Sequence, residues 1–227
     1  MTSMRAPDVE DFSAFFRSRL SSLGHRNELV WMSSQVPVEA LAAGYPCGVF
    51  PWPGDDPDVF PWVCPRTRGV LPLDNFRLGK STRRALRTQE FTVTFDQAFP
   101  EVITACHEAH LPVSWIHPEM QNAYTRAFET GFAHSVEVWE DGALVGGLYG
   151  IDSGFFFSGE SMFHRRSNAG KAAIRALVER TRDRGDSLLD IQQLTPHMHA
   201  LGAEAWSRNR FLDQLAKEQA GRKPHFF

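Results

Sequence analysis

Three short apolar runs separated by turn residues, in the middle of the chain, limit its fold more than any other feature. The first two occupy residues 135–139 and 143–149, and Asp141-Gly142 lies between them. Because Asp-Gly between apolar runs is a strong signal of a β-hairpin, these runs predict two antiparallel strands. A second turn near residues 152–154 leads to a third run at 155–158. The sequence therefore predicts an antiparallel meander of three strands.

The segment after the meander predicts a helix and then another strand. Residues 169–184 have helical spacing, and Gly185 is placed to end the helix. Residues 188–192 form a short apolar run that is typical of a buried strand. A meander followed by a helix and a strand resembles the core of N-acetyltransferase-like proteins. We therefore expect an α+β fold in which helices flank one mixed sheet.

The rest of the chain predicts further helices around this core. They fall at residues 1–20, 38–43, 80–87, 98–109, 121–131 and 203–220, with one more strand at 91–95. Residues 36–72 are rich in Pro, Gly and aromatic residues, which predicts an ordered segment without long helices. We expect a small N-terminal domain at residues 1–80 and an acetyltransferase-like domain at residues 81–227.

Composition excludes several classes of protein. The net charge is −3, so any contact with nucleic acid must come from a local basic patch. The three cysteines lack CxxC spacing, which argues against a disulfide framework or a zinc site and favours a reducing compartment. His197 and His199 have no matching ligands, so we expect no metal. Without a signal peptide or a membrane span, a soluble cytoplasmic protein is expected.

Three polar residues near predicted strand ends are candidates for a site. In an extended strand Asp190 and Gln192 point to one side, about 6.5–7 Å apart. Such buried polar groups need partners, because leaving them unpaired costs about 1–3 kcal/mol. Glu160 follows the predicted strand at 155–158, where a loop should begin. These residues form either a site or ordinary caps and loop contacts.

Residues 80–87 predict a short basic helix. Lys80, Arg83, Arg84 and Arg87 share one helical face. This face either contacts phosphate groups, with an affinity that falls steeply with salt, or is simply solvated.

Several segments of the chain resemble the leucyl/phenylalanyl-tRNA–protein transferases. In chain order they are GVFPW at 48–52, SWI at 114–116, AHSVEVW at 133–139, LVGGLYG at 144–150, GESMF at 159–163, DIQ at 190–192, PH at 196–197 and LGA at 201–203. The resemblance implies transfer of leucine or phenylalanine from aminoacyl-tRNA to an N-terminal Lys or Arg of a protein, which marks that protein for degradation. It implies direct attack of the acceptor amine on the ester, with no cofactor.

The resemblance also implies roles for individual residues. The residues expected around the terminal adenosine and the aminoacyl group are Trp52, Trp115 and Tyr124. Those expected to line the side-chain pocket are Leu148, Phe157 and Met162. Glu160, Asp190 and Gln192 are expected at the reacting centre, where Asp190 and Gln192 orient the amine and relay its proton.

The chain departs from the family pattern in three places. WMSS stands at residues 31–34 instead of GGDL, FPWVCPR at 60–66 instead of WWSPxPR, and AGK at 169–171 instead of ASK. Two related activities therefore stay open, namely aminoacyl-tRNA-dependent acylation of a different amine and acyl transfer from an acyl-CoA. The third alternative is a non-catalytic module that binds RNA or protein.

Overall fold

A computed structural model of the chain describes residues 9–54, 56, 58–112, 114–220 and 223–224. Within this part the helices are α1 (Val9–Ser21), α2 (Val38–Gly44), α3 (Lys80–Thr88), α4 (Phe99–Ala109), α5 (Pro118–Glu129), α6 (Ala169–Arg184), α7 (Pro196–Ala200) and α8 (Arg208–Gln219). The strands are β1 (Leu29–Ser33), β2 (Phe50–Pro51), β3 (Phe60–Val63), β4 (Thr67–Pro72), β5 (Thr92–Phe95), β6 (Ala133–Glu140), β7 (Ala143–Asp152), β8 (Phe157–His164), β9 (Leu188–Gln192) and β10 (Glu204–Ser207).

Seven strands form one mixed sheet in the order β10-β4-β9-β8-β7-β6-β5. Every neighbouring pair is antiparallel except β8 and β9, which are parallel and are connected through α6. A parallel pair needs a crossover connection, and a helix normally provides it. The predicted α+β fold with a mixed sheet is confirmed.

The β6–β7 hairpin forms where the Asp-Gly pair predicts it. Asp141 and Gly142 have φ angles of 51° and 75°, so both adopt the left-handed conformation that a two-residue hairpin turn requires. The two strands pair from Ala133 opposite Ile151 to Glu140 opposite Ala143. They form the centre on which the neighbouring strands are built.

Helix α6 packs closely on this sheet. Its buried residues include Ala173, Leu177 and Val178, and they join the core beneath β7. The helix approaches the sheet closely at Gly146, where an added Cβ would lie 2.6 Å from the Cβ of Ala169. Gly185, with φ 86°, ends the helix as expected.

The N-terminal part contains a second, smaller sheet with the order β1-β3-β2. Aromatic rings of α1 and this sheet pack together, with Phe16 and Trp31 each within about 6 Å of Trp62 between ring centroids. The same core continues into α4 and α5. The first eight residues of the predicted N-terminal helix lie outside the described residues. The division of the chain at residue 80 stays a prediction, and β4, which precedes it, pairs with β9 in the large sheet.

Two predicted elements are wrong in their extent. The strand expected at 155–158 is β8, which runs on through GESMF to His164, so Glu160 lies within a strand and not in a loop. The helix expected at 203–220 is split, because Glu204–Ser207 pairs with β4 before Ser207 caps α8 by accepting a hydrogen bond from the Arg210 amide. Both errors arise from long-range pairing that a local pattern does not contain.

Among the described residues, no helix combines the length and apolar character needed to cross a membrane.

Candidate active site

The site lies where β8 and β9 separate. The two strands pair only at Phe157 with Leu189 and at Ser158 with Asp190. Beyond these pairs each strand contains a bulge, with Glu160 as the extra residue opposite β7 and Ile191 as the extra residue opposite β4. Bulges redirect side chains and are frequent beside active sites. The opening between the strands is therefore bordered by side chains turned out of the regular pattern.

An apolar cavity of about 260 Å³ occupies this opening. Its apolar wall consists of side chains from β7, β8, β9, α6 and α7, namely Leu148, Met162, Ile174, Leu177, Leu189, Ile191 and Met198. Glu160 and Gln192 lie at its polar end. A cavity with an apolar wall and a few convergent polar groups suits a ligand with one apolar and one reactive part.

A second cavity of about 320 Å³ adjoins the first. Trp52 and Trp115 both line this second cavity. Trp115 and Glu160 each line both cavities. Both indoles are partly exposed, so flat surfaces are available for stacking. The carboxylate of Glu160 therefore lies where the apolar and the aromatic cavities meet.

Glu160 is held by hydrogen bonds, and no cation among the described residues forms an ion pair with it. The Tyr124 hydroxyl donates to Oε2 at 2.7 Å, and the Gln192 amide nitrogen donates to Oε1 at 2.6 Å. The Tyr45 and Tyr124 hydroxyls are 2.8 Å apart. Burial raises the pKa of Glu160 to about 7, which exceeds the opposite effect of the two tyrosine hydroxyls. The charge of Asp190 adds to this increase, and that of Arg68 reduces it.

Asp190 has a different environment, because Arg68 neutralises it. Arg68 donates from Nε to Oδ1 at 2.7 Å and from Nη2 to Oδ2 at 2.6 Å. Oδ2 also accepts from the Ser158 hydroxyl at 2.9 Å, and Oδ1 accepts from the Gln192 backbone amide at 3.0 Å. Both side chains of the ion pair are 1% exposed. Asp190 is therefore buried behind the cavities and does not line either of them.

The Arg68 guanidinium is also enclosed by aromatic rings. Its central carbon lies 4.4 Å from the Phe50 ring centroid and 4.6 Å from that of Phe211. Its Nη1 donates to the Gly48 carbonyl at 3.1 Å. The ion pair thus connects β4 and β9 with the GVFPW segment that carries Trp52.

Comparison with known families identifies the chain. A family model described as leucyl/phenylalanyl-tRNA protein transferase matches residues 70–216, well over half of the sequence. The chain belongs to this family.

Relatives of the same name cover most of the chain. One from Desulfatibacillum aliphaticivorans is 42% identical over 86% of this chain and 84% of its own. One from Paramagnetospirillum magneticum is 45% identical over 79% and 87%, and one from Aromatoleum aromaticum is 48% identical over 78% and 75%. Among solved structures, FemX is similar with a TM-score of 0.50 at 13% identity, covering 80% of this chain and 71% of that one. That likeness concerns the fold.

The structure brings most of the predicted site residues of this family member together. Trp52, Trp115, Leu148, Met162, Glu160 and Gln192 line the two cavities, and Tyr124 is bonded to Glu160. Phe157 is fully buried and lies off the cavity wall. Strand alternation does not hold at Gln192, since its φ angle of 49° leaves the extended region. Asp190 and Gln192 accordingly bind different partners.

Two residues of the site were missed from the sequence. Arg68 stands directly before the apolar run 69–71, and a charge at the edge of such a run was the available signal. Tyr45 lies in the Pro-rich segment, where nothing local indicates a contact with Tyr124, 79 positions away.

The basic helix α3 lies outside these cavities. Lys80, Arg83, Arg84 and Arg87 are exposed, and none of them forms an ion pair with another described residue. Arg83 and Arg87 line a shallow groove of about 490 Å³ together with Arg175, Glu179 and Arg182 of α6, where Glu179 pairs with Arg175. The cationic surface is therefore wider than the helix alone.

Proposed function

We propose that this protein moves leucine or phenylalanine from aminoacyl-tRNA to the N-terminal Lys or Arg of a protein. The observation that carries the proposal is the position of Glu160, a carboxylate between an apolar cavity and a pair of exposed indoles. An aminoacyl-adenosine ester has the same three parts in the same order: an apolar side chain, a reactive ester and a flat base. The family membership of the chain supports the same reaction.

The apolar cavity is proposed to bind the side chain of the transferred amino acid. Leu148 and Met162 line it from β7 and β8, opposite Ile191 of β9. A mainly apolar wall favours large hydrophobic side chains, because a polar side chain buried against it would lose hydrogen bonds to water. Phe157 contributes indirectly, as a core residue behind the wall.

Trp52 and Trp115 are proposed to hold the terminal adenosine of the tRNA. Stacking of a base on an aromatic side chain contributes about 1–3 kcal/mol. The two indoles line the cavity next to Glu160, so a stacked adenosine would present its ribose ester to the carboxylate. Tyr124 supports this arrangement from behind by its hydrogen bond to Glu160.

The reaction needs an oriented amine more than a strong catalyst. The aminoacyl ester is already activated, and a free α-amine with a pKa of about 7.7–8.0 is partly neutral near pH 7. The amine attacks the ester carbonyl, the ribose hydroxyl leaves, and an amide forms. We propose that Glu160 accepts the proton that the amine loses and returns it to the departing ribose oxygen, while Gln192 orients the amine.

Asp190 is proposed to act through Gln192. Its carboxylate oxygens are occupied by Arg68, Ser158 and the Gln192 amide, so a direct contact with the amine would require one of these bonds to break. Its proposed role is to fix the backbone at Gln192, whose left-handed conformation aims the side chain at Glu160.

The exposed basic face of α3 is proposed to contact tRNA phosphates. An Arg83→Ala, Arg84→Ala, Arg87→Ala triple variant should bind tRNA more weakly and keep the same preference for the amino acid, because phosphate contacts carry no sequence information. Each lost contact should flatten the log–log salt dependence by about 0.7–0.9. The measurement is tRNA affinity against salt concentration. Parallel lines of equal affinity would show that the helix is only solvated.

We also propose a cytoplasmic location, since this is where aminoacyl-tRNA is available. The three cysteines are buried and free, as expected in a reducing compartment.

The experiment that tests the function supplies charged tRNAs and defined acceptors. Leucyl-tRNA or phenylalanyl-tRNA should acylate peptides that begin with Lys or Arg, while peptides that begin with Ala or Glu stay unmodified. Acetyl-CoA is the parallel donor. Transfer to another amine in place of the peptides would refute the acceptor, and transfer from acetyl-CoA alone would refute the donor.

A further inference from the structure

A third cavity of about 340 Å³ opens beside the apolar one. It is lined by Met162, His164, Ser167, Asn168, Gly170, Lys171 and His197, and we call it the cationic cavity. Met162 and His197 also line the apolar cavity, so the two spaces adjoin. The aromatic cavity with Trp52 also adjoins the apolar one and shares no lining residue with the cationic cavity.

Three basic side chains face this cavity without an acidic partner. No carboxylate lines it, and none of His164, Lys171 and His197 forms an ion pair within the described part of the chain. The three are close enough to affect one another: partial burial lowers the pKa of His197, and Lys171 and His164 lower it further. Lys171 is cationic and both imidazoles can donate hydrogen bonds, so a cavity lined by these groups without a counter-ion favours the binding of an anion.

The cavity is also connected to the basic helix. Gln89, the residue after α3, donates from Nε2 to the Ser167 carbonyl at 3.0 Å and accepts from Asn168 Nδ2 at 3.3 Å. Ser167 and Asn168 both line the cationic cavity. The end of α3 thus meets the edge of the cavity.

We propose that the cationic cavity binds a phosphate group in the single-stranded 3′ end of the tRNA. The proposal rests on the proposed function. Lys171 and His164 donate to the phosphate oxygens, and His197 closes the side next to the apolar cavity. The bound phosphate then lies between the end of α3 and the apolar cavity, and the terminal base stacks on the indoles beside Glu160.

A coenzyme A phosphate is the main alternative ligand, and the structure favours it less. Binding of its pyrophosphate would call for a glycine-rich loop whose backbone amides approach the phosphates. Here residues 167–171 contain one glycine, Gly170, and it lies inside α6 and not in a loop before the helix. The segment therefore lacks the glycine-rich loop that such a site would need.

The test compares three donors that carry the same amino acid. Aminoacyl-tRNA and an aminoacylated CCA trinucleotide have internal phosphates, whereas aminoacyl-adenosine without a 5′ phosphate has none. The variant is Lys171→Gln with His164→Gln, since neither residue lines the apolar cavity. Lys217→Gln with His199→Gln is the matched control, because both residues are exposed and lie outside the three cavities.

The expected result is a change in ratio. For the variant, kcat/KM with the trinucleotide, divided by kcat/KM with aminoacyl-adenosine, should fall about tenfold, as expected for a lost charge-assisted contact. The control should keep the wild-type ratio. Binding of the uncharged CCA trinucleotide should fall by a similar factor, which measures the site independently of turnover.

Other outcomes would overturn the inference. An equal loss with all three donors would mean that the variant distorts the apolar cavity, and no loss would mean that the phosphates pass elsewhere. Inhibition of wild type by coenzyme A that disappears in the variant, with an unchanged donor ratio, would assign the cavity to coenzyme A. Failure of the wild-type protein to transfer from any of the three donors would instead refute the proposed function.

Discussion

Asp190 and Glu160 lie on neighbouring strands of one sheet, yet the protein surrounds them in opposite ways. Asp190 has a bidentate arginine, a serine hydroxyl and a backbone amide. Glu160 has two neutral hydrogen-bond donors and no ion pair among the described residues, and burial raises its pKa to about 7. The first carboxylate is satisfied by the fold, whereas the second remains available to a ligand.

The two carboxylates therefore differ in their effect on stability: paired Asp190 stabilises the native state, whereas Glu160 destabilises it when ionised. A paired charge supports the native state only while both partners are present. A partly buried carboxylate with a raised pKa destabilises the native state once it is ionised, and such groups are concentrated at functional sites. Substitutions in the two regions should therefore have opposite effects on stability and activity.

The largest expected effect is on the ion pair. Arg68→Met leaves Asp190 as a buried, unpaired charge, so the free energy of unfolding at neutral pH should fall by about 3–5 kcal/mol. Denaturant unfolding monitored by tryptophan fluorescence measures it.

A double variant sharpens this result. Arg68→Met with Asp190→Leu removes both charges and should recover much of the stability lost by Arg68→Met alone. A double variant no more stable than the single one would mean that the cage of Phe50, Phe211 and Gly48 around Arg68 matters more than the charge.

Glu160→Gln should have the reverse effect. Turnover should fall by about 10²–10⁴-fold, since a positioned acid–base group is lost. Because the pKa of Glu160 is raised to about 7, its protonated form is favoured by folding, and wild-type stability is lost as the pH rises from about 4.5 to 7. The variant should therefore gain about 2–3 kcal/mol over wild type between pH 4 and pH 8.

Urea unfolding at several pH values checks this prediction, and Glu179→Gln is the control. Glu179 is exposed in a surface pair with Arg175, so its removal should leave the pH dependence of stability unchanged. Equal pH dependence in wild type and Glu160→Gln would show that folding does not raise the pKa of Glu160.

The sequence predicts those parts of the fold whose signals are local. The β6–β7 turn, helix α6 and strand β9 form where their turn residues, helical spacing and apolar run indicate. Strands β4 and β10 were not predicted, because each owes its conformation to pairing with distant partners. Local spacing alone favours a helix for β10, whose Glu and Ala residues suit one.

The candidate site likewise has a part that the sequence predicts and a part that only the structure shows. Glu160, Gln192 and the two indoles follow from motifs that resemble a family, and the structure brings them together. The contrast between the two carboxylates does not follow, because Arg68 lies 122 positions from Asp190. Chain patterns indicate which groups need partners, but only the fold determines which carboxylate receives a cation.

The smallest effect should come from Tyr45→Phe, which tests whether the tyrosine pair influences the pKa of Glu160. The hydroxyl of Tyr45 bonds that of Tyr124 and lowers the pKa of Glu160. Its removal should cost about 0.5–1.5 kcal/mol of stability and move the acidic limb of the pH–rate profile to higher pH. At pH values well above that limb, turnover should stay close to wild type.

Tyr149→Phe is the matched control, since its buried hydroxyl has no hydrogen-bond partner among the described residues. An acidic limb that moves equally in both variants, or toward lower pH in Tyr45→Phe, would show that the tyrosine pair does not set the protonation of Glu160.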